Sequence, residues 1–144
     1  MKAFLDEIIE YLDGKFAADT ELAKPPKGHY AYEFGLMPST EPYYEVQNLG
    51  GSDTTEDFAQ LMTVSVDLQI NVYGVKTKVA NKVVSAQVNA MVLADKCEAF
   101  MQELKYSNTG IVEMRRVTRS PAIPYEDGSK SYTAAIRYEI QLNH

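Results

Sequence analysis

The chain has 144 residues, 45% of them hydrophobic and 24% charged, which is the usage of one ordinary globular domain and not of a disordered segment. Fourteen Lys and Arg against twenty Asp and Glu leave a net charge of −6, a surface that repels phosphate backbones and argues against non-specific nucleic-acid binding. One cysteine excludes an internal disulfide and a cysteine zinc cluster, and two histidines leave little for imidazole chemistry, so the counts disfavour most enzymes.

Residues 3–16 carry Phe4, Leu5, Ile8, Ile9, Leu12 and Phe16 three and four apart, with Asp6, Glu7, Glu10 and Asp13 between them, which predicts a short amphipathic helix. Gly14 weakens its last turn, and Pro25-Pro26 forbids continuation. The opening residues turn acidic at once and lack the basic flank and apolar run of a signal peptide, and no segment has the roughly 18–20 apolar residues of a membrane span. A soluble protein made in a reducing cytoplasm is therefore expected.

A polar connector over 17–29 leads to Tyr30, Tyr32, Phe34 and Leu36 at alternate places, a period-two strand. Pro38 and Pro42 bracket a turn, and residues 43–47 read as a short partner strand. Gly50-Gly51 breaks it, and the acidic, small-residue stretch from 48 to 57 is expected to be an exposed, mobile loop. Val64, Val66, Leu68, Ile70 and Val72 then alternate with polar residues, which marks a strand of an antiparallel sheet covered on one side, ended by Gly74.

From Val79 to Leu104 there is no Gly or Pro, and Val83, Ala86, Ala90, Leu93, Ala94, Cys97, Met101 and Leu104 fall at helical spacing, so this is the main helix, roughly 35–40 Å long. Residues 107–110 stop it, with Gly110 suited to a left-handed cap. Ile111 to Thr118 is extended but carries Arg115 and Arg116, with Arg119 just beyond, which suits an edge or an interface. After Pro121, Pro124 and a turn at 126–129, residues 132–142 alternate as a last strand. The expected fold is a single α+β domain over 1–144, ordered α-β-β-β-α-β-β. It has a four- to five-stranded, mainly antiparallel sheet, with two helices mostly on one face.

Catalytic constellations are sparse. No phosphate loop, His-Glu-x-x-His or Gly-x-Ser-x-Gly occurs, and His29 has no carboxylate placed by local spacing to orient it. Asp53, Glu56 and Asp57 lack the ligand pattern of a calcium loop, so no metal and no cofactor is expected. Cys97 lies within the apolar stripe and reads as a packed thiol, not a nucleophile. The arginines at 115, 116 and 119 read as a basic strip that pairs with an acidic face, its own or a neighbour's; consecutive Arg115 and Arg116 point to opposite faces, so no pocket takes both. Of the ten tyrosines only Tyr11 is expected in a helix. Strand tyrosines serve plain sheet packing and oligomer surfaces alike, and of the adjacent Tyr43 and Tyr44 one ring is expected to leave the buried face.

Certain segments and their order carry a resemblance. A loop ending Asn48-Leu49-Gly50-Gly51 leads into the alternating strand 60–74; an alanine-rich helix follows, then residues 119–132 from Arg119 through the Glu126-Asp127-Gly128 turn, and the last strand 135–142. Over nearly the whole chain this resembles the minor capsid and tail-terminator proteins of long-tailed bacteriophages and prophages of Gram-positive bacteria. The resemblance implies a non-enzymatic virion protein without cofactor or metal, assembled in the host cytoplasm and located at the head–tail junction. Its partners would be copies of itself in a hexameric ring, the tail-tube protein and a head-completion connector, with DNA passing through unbound and no membrane involved. A head-completion or stopper protein is the near alternative, and a bacterial small-ligand-binding or enzymatic α+β domain is the alternative of a different class.

Six domains of this size, each roughly 37 Å across, would enclose a hole of similar width, enough for a duplex. Within such a ring the expected subunit contacts are Arg115, Arg116 and Arg119 against Glu7 and Glu10, with Tyr43 and Tyr44 as further interface residues. The loop bearing Asp53, Glu56 and Asp57 is expected at the lumen or the tube end.

Overall fold

Helix α1 (Lys2–Ala18) forms on the expected stripe: Phe4, Leu5, Ile8, Leu12 and Phe16 are buried, while Asp6, Glu7 and Glu10 face outward. A computed structural model describes residues 2–30, 41–49, 54–56, 62–107, 110–125 and 130–143. After α1 come β1 (Lys27–Tyr30), β2 (Tyr43–Asn48), β3 (Thr54–Glu56), β4 (Met62–Val75), β5 (Thr77–Val79), β6 (Lys82–Val84), α2 (Ala86–Ser107), β7 (Ile111–Arg119), β8 (Ile123–Pro124) and β9 (Ser131–Asn143).

The main sheet runs β1-β2-β4-β9-β7, with β1 parallel to β2 and the remaining pairs antiparallel; short β3 adds to the start of β4, and β8 to the start of β9. This is the expected α+β architecture, with seven strands in the main sheet among the described residues where four or five were expected. Tyr44, Val46, Val66, Leu68, Ile70, Val72, Ala134, Ile136, Tyr138 and Ile140 share one face and pack with the stripes of both helices into one core. Each fully buried Ile, Leu or Phe there contributes roughly 1.5–3 kcal/mol. Cys97 lies within that core, and burial pushes its thiol up to about 12.

Four expectations are corrected. The main helix begins at Ala86, not Val79: residues 77–84 form a separate hairpin of β5 and β6, and Val83, assigned above to the helical stripe, is an exposed strand residue. The helix starts where it does because the Ser85 hydroxyl accepts a bond from the Val88 N–H at 3.2 Å, an N-cap. Gly74 does not end β4, which continues to Val75; a Cβ at Gly74 would collide with the backbone of Ala90, so glycine is what lets α2 lie directly on the strand. His29 belongs to β1, not to a loop, and Tyr106 belongs to the last turn of α2, not to a strand end. The strand expected over 31–36 lies outside the described residues, as does the turn at 126–129.

The connector after α1 is fastened from two sides. Lys96 of α2 bridges Asp19 at 2.8 Å and Glu21 at 2.7 Å, and the Ala80 N–H donates to the Glu21 carbonyl at 2.9 Å. At the other end, one Asp13 oxygen accepts both the Gly28 N–H at 2.9 Å and the Tyr44 hydroxyl at 2.7 Å, tying α1 to β1 and β2. Gly28 is required there, since any side chain would strike the Tyr44 phenol.

Candidate functional site

The arginine strip lies on β7, which forms one edge of the main sheet as its sequence suggested. β7 pairs with β9 through two register shifts, at Val112 and at Val117. The second decides where the charges go. Residues 116 and 119 are an odd number apart and would lie on opposite faces of a regular strand; the extra residue at Val117 brings both to the helix-covered face, opposite Tyr138 and Ile136. There Arg116 meets Glu98 of α2 at 3.1 Å, and Arg119 meets Asp95 at 2.5 Å and Glu98 at 3.6 Å. Arg115 points to the other face, as expected, and pairs with Glu139 of β9 at 2.6 Å, which holds its guanidinium above the ordinary arginine range. All three arginines thus bind acids of their own chain. Glu7 and Glu10 are exposed on α1 and are not among those partners.

Beside its paired cations and the exposed Glu113 and Thr118, the β7 side also carries apolar surface. Val112 and Val117 at the two register shifts, and Ile123 on β8, are large hydrophobic side chains exposed along one continuous edge. Val88 and Met91 of α2 are also exposed, and the Arg119 guanidinium reaches the Met91 carbonyl at 3.4 Å, which brings this stretch of the helix up to the end of β7.

The adjacent tyrosines do point to opposite faces, but neither ring is exposed. Tyr44 enters the core against Phe16, with a ring-centroid separation of 5.6 Å. Its hydroxyl lies within hydrogen-bond distance of both Asp13 and the Ile9 carbonyl. Tyr43, 5% exposed, stacks on Tyr73 at 4.2 Å on the helix-free face, with Tyr125 edge-on to Tyr73 and His29 edge-on to Tyr43. That side is therefore not uniformly wet, and the expectation that one ring leaves the buried interior is corrected: a second aromatic cluster covers it.

Glu45 lies beside this cluster, 2% exposed, its Oε2 accepting the Tyr73 hydroxyl at 3.3 Å and its Oε1 without a hydrogen-bond partner among the described residues. Burial pushes its carboxyl above the ordinary glutamate range, against the hydrogen bonds of Tyr73 and Asn71.

Of the acidic loop, Asp53 and Asp57 lie outside the described residues, and Glu56 ends β3. Residues 54–56 pair with 62–64 of β4, so this part of the expected loop is strand. Among the described residues no group of three or more His, Cys, Asp or Glu is placed to hold a metal ion, and no helix is long and apolar enough to cross a membrane.

Neither a family model nor a curated protein matches the chain.

Sequence reasoning missed the acids that hold the arginines. The signal was present in Asp95 and Glu98, three apart on one side of the α2 stripe and hence one acidic spot on a helix. Glu45 gave no signal, since a charged residue in a strand pattern normally marks the solvent face.

Proposed function

We propose that this chain is a structural subunit that works by association: a tail-terminator (minor capsid) protein whose copies form a ring on the end of a phage tail tube and join it to the head, with the DNA passing through unbound. In this reading it is a virion protein, catalyses nothing and needs no cofactor. What carries the reading on the molecule itself is the β7–β8 edge, where Val112, Val117 and Ile123 are exposed beside arginines already satisfied within the chain. Exposed apolar side chains in a row on an edge suit packing against another protein surface. The two register shifts make it a poor template for open-ended strand addition, so contact through side chains is favoured over fibre growth. The element order that carries the resemblance supports the same reading.

The test adds the purified protein to polymerising tail-tube subunits of a long-tailed phage and measures tube lengths by electron microscopy. Tubes capped at a set length, with a ring at one end, are the expected result. An unchanged length distribution overturns the reading.

A further inference from the structure

The β5–β6 hairpin carries Lys76, Lys78 and Lys82 and no acid between Gly74 and Ala86. All three lysines are exposed, and none forms an ion pair among the described residues; the nearby Glu21 and Asp19 are already engaged by Lys96. Val79 packs toward the core, whereas Lys78 lies opposite Val83, which is 61% exposed, so the outward face of the hairpin is a cation beside an apolar side chain.

The hairpin is held firmly. Its two turn residues, Ala80 and Asn81, both adopt positive φ (50° and 66°), the tight two-residue turn that suits the strand twist. Ala80 accepts that left-handed conformation, costly for a residue with a Cβ, while its N–H bonds to Glu21 and the Lys78 carbonyl accepts the Ala23 N–H at 3.3 Å. A rigid arm loses little freedom on binding.

The complementary surface is on the same chain, on the N-terminal half of α1. Asp6, Glu7 and Glu10 form the outward face of α1, and Asp6 and Glu10 make no ion pair among the described residues. They lie about 12–18 Å along the helix from its C-terminal end, whereas the hairpin is fastened to residues 21–23, just past that end. Two oppositely charged, unlike faces, one just past the C-terminal end of α1 and one on its N-terminal half, are what a head-to-tail contact between identical chains requires.

We infer that the β5–β6 hairpin docks on the acidic face of α1 of a second copy, with Lys76 and Lys78 meeting Asp6, Glu7 and Glu10 around the Val83 side chain. This deepens the ring reading and rests on its premise of self-association, not on tail capping. The negative chain favours a second copy over a nucleic acid as the occupant.

The test mixes nitrogen-15-labelled and unlabelled full-length protein at low salt and joins touching amines and carboxylates with a carbodiimide. Mixed-isotope cross-links between the hairpin and α1 peptides are expected, falling on the order of tenfold at high salt. Two double variants, K76E/K78E and D6K/E10K, are at exposed sites, and circular dichroism checks that each is folded. Each alone should lose the cross-link, and mixing the two should restore it, because each then offers the other a complementary face.

Absence of the link in the wild type, its persistence in either variant, or no recovery on mixing overturns the inference. So does retention on duplex DNA that K76E/K78E abolishes while no cross-link forms, which assigns the arm to nucleic acid. The cross-link decides the contact and the tube-length assay decides the function, so either can fail without the other.

Discussion

Glu45 shows what a single residue does on the face without helices. It is buried beside Tyr73 with one carboxylate oxygen unpaired among the described residues, and burial raises its pKa. A carboxyl held above its unfolded value binds more protons in the folded chain than in the unfolded one, so stability falls as pH rises from the ordinary value of 4.5 to the folded value, and levels off above it. Glu45→Gln keeps an acceptor for the Tyr73 hydroxyl and removes the charge. Urea unfolding at a series of pH values should show the variant more stable at neutral pH by roughly 1–3 kcal/mol, with the slope above 4.5 reduced. The residue was illegible in the sequence because alternation assigns a strand residue to a face but does not say what covers that face. Tyr43 was misjudged for the same reason.

Among the elements, those with one buried side and long runs could be read directly. α1, β4, β9 and the stripe of α2 from Ala90 to Leu104 follow from periodicity because each meets a single core. The β5–β6 hairpin was hidden because Val83 stands three residues before Ala86 and seven before Ala90, which imitates a helical stripe, and its strands are too short to show alternation.

The two glycines of these elements should answer oppositely to one substitution. Gly14 lies in α1 with open space where a Cβ would go, so Gly14→Ala should stabilise by about 0.5–1 kcal/mol. Gly74 is pressed against the backbone of α2, so Gly74→Ala should destabilise by about 1–3 kcal/mol. Thermal melts of both variants beside the wild type check the pair of signs.

Among the described residues one hydrophobic core brings both helices and the sheet together, and Phe16 joins its parts. Its ring lies 5.6 Å from Tyr44 of β2 and 5.2 Å from Phe100 of α2, so truncation touches both helices and the sheet at once. Phe16→Ala should cost about 3–5 kcal/mol. Far-ultraviolet dichroism and the near-ultraviolet tyrosine signal should move together to a lower midpoint; separated transitions would mean that α1 comes away on its own.

The fold class was legible at this scale because the hydrophobic pattern alone fixes which layers must meet. The charge pairing was not, because the two partners of each arginine-to-helix contact are remote in sequence: Glu98 is 18 residues from Arg116, and Asp95 is 24 from Arg119.

The extra residue at Val117 has an evolutionary consequence. It sets the phase of everything after it in β7, so the spacing between the two arginines that hold α2 is three only while that insertion is kept. A descendant that deleted it would bring the second cation to two positions after the first in the same step, Arg-Thr-Arg in a regular strand, and would keep both ties. Kinship to this chain should accordingly be sought with a gap permitted at that point, and a lineage with the deletion should retain the acids at 95 and 98.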